Sequence, residues 1–427
     1  MSEVSKKKIA IIGSGISGLS ASYILSKKYS ITLFEKNDYL GGHTRTLKID
    51  GINIDTGFIV YNDKNYLQFK SFLNHLKIKS KNSNMSFAFT NLNKDFEYSG
   101  RNLLTIFSKI LRLFSFSFWR FVLEIRRFYK LCKKLDLNSL EDLTIDDFLK
   151  KNKFSESLIN YHIYPLICSI WSSNSKDVKK FPLKAFISFF NNHNLFDFSN
   201  RPQWKFIENG SVSYINKILK NKKFKTLIKV KKIKIFRKKN NVIIKYDKKI
   251  ASFDKVIFAT NANEILKILN NPTQLEKNIF TKFKYTQNIA YLHSDINFMP
   301  KDKNLWSSWN FIYSEIKYNS FCLTYWMNLL QKIKSKKNYF VTINPFIEPK
   351  NFYDKHNFQH ICFDLNMLKA QKKIKSIQGK QNTYFCGAYI GYGFHEDGIQ
   401  SSIYVANLLE TPLPWRNKSY IYTRLPY

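Results

Sequence analysis

Three glycines near the start of the chain, in Gly13-Ser14-Gly15-Ile16-Ser17-Gly18, restrict what it can fold into more than any other feature. An apolar run at 9–12 precedes them and reads as a buried strand. Residues 17–28 follow with helical spacing of apolar positions, and 30–34 form a second apolar run that ends at Glu35 and Lys36. Strand, glycine loop, helix and strand in this order make a βαβ unit. Gly13 permits a tight turn, Gly15 lets the backbone approach a pyrophosphate, and Gly18 lets the helix pack close to the strand. The helix start, with Ser14 and Ser17 beside it, offers free N–H groups and the positive end of a dipole to phosphate. Glu35, at the end of the second strand, is placed to accept hydrogen bonds from both hydroxyls of an adenosine ribose. A carboxylate there disfavours a 2′-phosphate, so NADP does not suit this loop.

The chain has 427 residues, which predicts two domains. The nucleotide-type pieces lie at both ends and in the middle, so the expected domains are discontinuous. The expected fold class is α/β. A Rossmann-like domain takes 1–75, 206–275 and 370–415, and a mixed helix-and-sheet substrate domain takes 76–205 and 276–369. Residues 416–427 read as a C-terminal tail. The stretch 65–205 reads mostly as helices, rich in Phe and Leu, and strands return over 224–260, at 323–327, 340–343 and 382–386.

Lys and Arg number 69 against 31 Asp and Glu, a net charge of +38. Such an excess points to a polyanionic partner, or to lysine drift alongside the many Ile, Asn, Phe and Tyr. No zinc-finger spacing, RNP-type motif or basic-region heptad occurs, so nucleic acid is not an expected partner. Five cysteines, far apart and with no C-x-x-C, suit buried thiols rather than a disulfide frame, and no metal site is expected. Lys6-Lys7-Lys8 before an apolar stretch resembles a signal peptide, but the glycines interrupt it at nucleotide-loop spacing. With no long uncharged apolar run, the expectation is a cytoplasmic protein, free or peripheral on the inner face of the membrane.

Two further motifs carry chemistry. In Gly41-Gly42-His43-Thr44-Arg45-Thr46 the paired glycines bring backbone to a dinucleotide, and Arg45 is expected to bond phosphate. Asp55-Thr56-Gly57 follows. Near the C-terminus, Cys386-Gly387-Ala388-Tyr389-Ile390-Gly391-Tyr392-Gly393-Phe394-His395-Glu396-Asp397-Gly398 reads as strand, loop and helix start. A helix N-terminus there would stabilise negative charge on a bound ring. Candidate cofactor contacts are Gly13, Ser14, Gly15, Ser17, Gly18, Glu35, Lys36, Gly42, His43, Thr44, Arg45, Val230, Gly387, Asp397, Gly398 and Ile399. His395, Glu396 and Tyr392 are the catalytic candidates, because loops at strand ends carry reacting groups and histidine moves protons near neutral pH.

These segments, with Val256-Ile257-Phe258-Ala259-Thr260, resemble the ordered FAD-binding motifs of amine-oxidase-like flavoproteins, a superfamily that includes phytoene-type desaturases and protoporphyrinogen oxidase. Ile170-Trp171-Ser172, Gln203-Trp204, Asn209-Gly210-Ser211, Leu292-His293-Ser294-Asp295, Trp306-Ser307-Ser308-Trp309-Asn310 and Thr324-Tyr325-Trp326-Met327-Asn328 resemble a narrower bacterial group. That group is often encoded beside cyclopropane-fatty-acid-synthase-like methyltransferases. The resemblance implies FAD and action on membrane-lipid acyl chains, and because no Cys lies in the C-terminal loop after Cys386 the FAD is expected to be non-covalent. Two departures stand out. Tyr389 occupies the place where the oxidases usually carry an acidic residue near the ribityl chain. The strand matched to the one bearing their flavin-facing lysine reads Gln287-Asn288-Ile289-Ala290-Tyr291-Leu292, without lysine.

The expected reaction is removal of hydride from a substrate carbon onto flavin, the substrate being a lipid acyl chain still esterified. Rival readings are a soluble amine oxidase, which needs the lysine, a carotenoid- or polyprenoid-type desaturase, and a non-catalytic flavoprotein partner of a lipid methyltransferase, in which no substrate would bleach the flavin. Residues 103–130 read as one amphipathic helix. Lys109, Arg112, Arg120, Glu124, Arg126, Arg127 and Lys130 fall on one side, and Leu104, Phe107, Leu111, Phe114, Phe118, Phe121 and Ile125 on the other. It is either a core helix or one lying on an anionic membrane.

Overall fold

The computed structural model describes residues 6–94, 96–100, 114–172, 177–197, 201–314, 320–415 and 424–426. The opening unit is β1 (Lys8–Ile12), α1 (Ile16–Leu25) and β2 (Ser30–Phe34). Parallel pairing sets Ile9 opposite Ile31 on β2 and opposite Lys255 on the strand Lys255–Phe258. Lys225–Leu227 adds beyond β2, and Thr383–Phe385 beyond Lys255–Phe258, to make a five-stranded parallel sheet. Ile9, Ala10 and Ile11 are fully buried, as a strand covered on both faces must be. α1 and the helix His395–Leu408 touch closely. A Cβ on Gly398 would stand 2.7 Å from Ile16, and the hydroxyls of Ser20 and Ser402 are 2.7 Å apart.

The second sheet has seven strands, in the order Phe352–Ile361, Tyr285–His293, Phe340–Ile343, Ser320–Trp326, Trp309–Ser314, Phe87–Asn91 and Phe96–Ser99. Its pairings are antiparallel except that of Trp309–Ser314 with Phe87–Asn91. The helices Phe116–Lys134, Tyr164–Trp171 and Leu183–Asn192 bury an aromatic core beside it, including Phe128, Phe186 and Phe190.

Several expectations need correction. The stretch 65–205 is mostly helical where described, but it also contains the strands Ser80–Asn82, Phe87–Asn91 and Phe96–Ser99. Phe87–Asn91 is a strand because Trp309–Ser314 pairs with it from far along the chain, a partner that local spacing cannot reveal. The boundaries at 75 and 205 run through a small sheet of Val60–Asn62, Trp204–Ile207 and Ser80–Asn82. In the tail, Arg424 is buried, its guanidinium 3.7 Å from Asp397 and over the Tyr66 ring.

The amphipathic helix is described from Phe116 to Lys134; Leu104, Phe107, Lys109, Leu111 and Arg112 lie outside the described residues. Phe118 and Phe121, on its apolar side, are core. Phe114, expected on that same side, is instead 84% exposed just before the helix, and a different apolar set on the helix faces outward, with Phe116 at 85%, Trp119 at 42% and Leu123 at 60% exposure. Among the described residues, no helix is long and apolar enough to cross a membrane, and no His, Cys, Asp and Glu cluster could hold a metal.

Candidate active site

The carboxyl ends of the parallel strands open into one cavity of about 750 Å³ that continues to the seven-stranded sheet. At the near end it is lined by Gly13, Ser14, Gly15, Ser17, Glu35, Lys36, Gly42, His43, Val230 and Gly387. The Glu35 Oε2 accepts from the Ser14 N–H at 2.9 Å and the Ser14 hydroxyl at 2.6 Å, and its Oε1 accepts from the Asn37 N–H at 2.8 Å. A carboxylate has room for further donors beside these. The α1 N-terminus has no side-chain cap, so its N–H groups stay available to an anion. The three glycines differ in what a side chain would meet. A Cβ on Gly18 would stand 1.8 Å from the Gly13 carbonyl, and Gly13, at φ +101°, would clash with Ala259, whereas a Cβ on Gly15 meets nothing within 4 Å. The space over Gly15 is therefore space for a ligand. These residues fit the adenosine and pyrophosphate of FAD, with Glu35 toward the ribose and the loop and α1 toward the phosphates.

Other expected contacts stand elsewhere. Arg45 does not line the cavity, because it makes a two-pronged pair with Asp354 at 2.6 and 2.9 Å. Thr44, just behind the wall, shares its hydroxyl with Tyr214 at 2.6 Å and His395 Nε2 at 3.0 Å. Asp397 accepts from the Phe394 N–H at 2.7 Å and caps its own helix. Gly18, Gly398 and Ile399 pack helices and lie outside the lining. Glu396 is corrected as a catalytic candidate. It is fully buried, accepts from the Gln68 and Phe69 N–H groups at 3.0 and 2.9 Å, and so caps the helix α2 (Leu67–His75) from outside. Burial pushes its carboxyl above the usual carboxylate range.

His395 and Tyr392 do line the cavity. His395 stacks on Phe58 at 3.6 Å, and burial holds its imidazole well below its ordinary pKa. His43 stacks on Phe358, with its Nε2 3.1 Å from the Gln359 carbonyl, and burial lowers it too. Sequence reading missed two more imidazoles in the lining, His356 and His360. Burial lowers both, His360 to about 3. Their signal was the alternation His356, Phe358, His360, which puts all three on one face of a strand. All four imidazoles are neutral at neutral pH.

The far end of the cavity is an aromatic chamber. Trp171 closes one side, 4.5 Å from Phe181 and 4.8 Å from Phe189 between ring centres. Tyr129, Trp204, Trp309, Tyr325 and Phe394 supply more of the wall, whereas Trp306, Trp326 and Asn328 stand away from it. Gln287, from the strand Tyr285–His293, lines the cavity. Among the described residues, the lysines that line it are Lys36 and Lys231, both at the nucleotide end. Asp55 is fully buried outside this lining. Its carboxylate accepts from the Ser211 N–H and hydroxyl at 2.8 and 2.7 Å, from Gln331 Nε2 at 3.1 Å, and from Thr46. Burial pushes its pKa up to about 6.

A family of NAD(P)-binding Rossmann-like domains matches residues 11–76. A 1-hydroxycarotenoid 3,4-desaturase of Flavobacterium sp. (strain P99-3) is 50% identical over 52 residues, 12% of this chain and 11% of the desaturase. A 4,4'-diapophytoene desaturase of Staphylococcus aureus (strain Newman) is 47% identical over 51 residues, 12% of this chain and 10% of that protein. Solved structures match over nearly the whole length. A protein assigned as a protoporphyrinogen oxidase in Exiguobacterium sp. 255-15 has a TM-score of 0.71 at 14% identity, over 95% of this chain and 99% of that one. A putrescine oxidase gives 0.69 at 12%, over 95% and 99%. A CLA-producing fatty acid isomerase from P. acnes gives 0.68 at 13%, over 96% and 99%. The chain has the amine-oxidase-like fold, with an N-terminal Rossmann-like nucleotide domain.

Proposed function

We propose that this chain is an FAD-dependent oxidoreductase that dehydrogenates a long apolar chain, most simply a membrane-lipid acyl chain. The observation that carries the reading is the single cavity that runs from the nucleotide loop into a chamber walled by aromatic rings. FAD held there would supply a two-electron oxidant, so that a C–C single bond of the substrate could become a double bond with the hydride of one carbon and the proton of its neighbour both ending on the reduced cofactor. The chain's own residues bind, orient and exclude water. Gly15, Glu35 and the α1 N-terminus would hold the dinucleotide, and Trp171, Tyr325 and their neighbours would align the chain in a dry site. His395 would position the flavin-side loop through Thr44. The strand Tyr285–His293 carries no lysine, which weighs against amine oxidation. A carotenoid-type substrate is the second reading, favoured by the match to desaturases over 12% of this chain.

The exposed face of Phe116–Lys134 supports a membrane source for the substrate. Phe116, Trp119 and Leu123 share that face with Arg120, Arg126, Arg127 and Lys130. Aromatic groups can insert at the lipid boundary while each cation contributes about 1 kcal/mol toward anionic lipid. Tyr129 of the same helix lines the cavity.

The test is cofactor release followed by anaerobic mixing with lipids. The denatured protein should release FAD, and acyl lipids should bleach the flavin absorbance; FMN, NAD alone or no cofactor would refute the reading. His395→Ala should slow bleaching without loss of FAD, and full activity would remove His395 from the mechanism. Bleaching by diamines but not by any acyl or polyprenoid chain would restore the amine-oxidase rival, and bleaching by none would leave the non-catalytic one.

A further inference from the structure

Charge is distributed unevenly along the cavity. Glu35, Lys36, Lys231 and Glu264 line it at the nucleotide end, each following a strand of the parallel sheet. Away from that end, among the described residues, one charged side chain lines it, Arg201. Arg201 is exposed, and its Nε donates to the Asp197 carbonyl at 2.8 Å, which fixes the stem of the guanidinium. The Asp197 carboxylate is engaged by Lys133, so among the described residues no carboxylate pairs with Arg201. It stands close enough to Tyr129 to act electrostatically on its phenol, and Phe190, Leu195 and Leu166 line the cavity with it.

We infer that Arg201 is the head-group site of the substrate chamber, and that the substrate is an amphiphile whose anionic head, a carboxylate or a phosphate, sits on this guanidinium while its apolar tail runs along the aromatic wall. This deepens the proposed function and rests on it. Guanidinium is suited to the task, since its planar fork bonds carboxylate or phosphate through two parallel N–H groups and stays charged. An apolar wall binds a chain but cannot fix which carbon faces the reacting end, because dispersion and the hydrophobic effect carry no direction. One cation at a set place along the wall supplies that register. The neighbouring helix Phe116–Lys134, with its exposed aromatic groups, gives a tail a short route from a bilayer.

The experiment uses the flavin-loaded protein and the quenching of its tryptophan fluorescence, for which Trp171, Trp204 and Trp309 in the cavity wall are reporters. Oleate, methyl oleate and oleoyl lysophosphatidate are titrated into the wild type, Arg201→Gln and Arg201→Lys. Loss of one charged hydrogen-bonding partner is expected to weaken an anionic ligand roughly tenfold to a hundredfold. Arg201→Gln should weaken at least one of the two anionic ligands by that amount, leave methyl oleate unchanged and keep the flavin, and Arg201→Lys should recover part of the loss. Preference for oleate assigns a free acid, and preference for lysophosphatidate assigns a lipid phosphate. Wild-type protein that binds the ester as tightly as both anions, or Arg201→Gln with unchanged affinity for both, overturns the assignment. Failure of all three chains to bind overturns the chamber's role in holding an apolar chain, and the assignment with it.

Discussion

The two ends of the cavity are built on opposite principles. The nucleotide end is made mostly of backbone, from a glycine loop, a helix start and a strand-end carboxylate lying close together in sequence. The chamber is made of side chains from Tyr129, Trp171, Trp204, Trp309 and Tyr325, each on a different element. Backbone recognition tolerates few substitutions, because the groups that bind are also the groups that fold. A wall of rings tolerates many, because its task is shape and dryness. The difference predicts that mutations at the near end act all-or-none and those in the chamber act by degree.

The largest effect should come within the glycine loop itself. Gly18→Ala drives a Cβ into the Gly13 carbonyl and should give no folded protein, whereas Gly15→Val, whose Cβ has open space, should fold with normal circular dichroism yet carry no flavin. A Gly15→Val protein that keeps its flavin would show that the pyrophosphate does not lie over this loop. Next comes Trp171→Leu, which should keep its FAD but slow chain-dependent flavin reduction at least tenfold. Loss of FAD in that variant would mean that the two ends are not separable.

A smaller effect concerns Asp55, buried outside the lining. The Asp55 pKa of about 6 in the folded protein lies above the roughly 4 of an unfolded carboxyl. The folded state therefore binds more protons between these values, and stability falls as pH rises from about 4 to about 6, by up to about 3 kcal/mol. Asp55→Asn should flatten that part of the denaturation profile, and an unchanged slope would clear Asp55 of the dependence. The smallest effect on the fold is expected outside the cavity. Phe116, Trp119 and Leu123 changed together to Ser should leave melting and flavin content as they were but abolish co-sedimentation with anionic vesicles. Vesicle binding that survives at low salt would return this face to the status of ordinary surface.

Much of the near end could be read directly. The order of strand, loop, helix and strand is local, and Gly13, Gly15 and Glu35 stand in the structure where their spacing requires. Helix termini misled more. Glu396 sits beside a cavity-lining histidine in sequence, yet its side chain turns to the start of α2, because a buried helix end must find an acceptor and this carboxylate is the one within reach. Arg45 was misread for a similar reason: Asp354 on a distant strand takes up its guanidinium, a partner no local motif announces.

The sequence by itself determined the parallel βαβ opening, the Rossmann-like domain and the place where a dinucleotide can approach backbone, because glycine conformation and strand–helix periodicity act over a few residues. Only the tertiary structure decided which helix face is core, which imidazoles line the cavity and where Arg201 stands. Those outcomes depend on pairings between segments far apart in the chain. Phe118 and Phe116 are two residues apart and chemically the same, yet one is buried and the other exposed, because packing against the rest of the molecule, and not the side chain's own hydrophobicity, fixes which face turns inward.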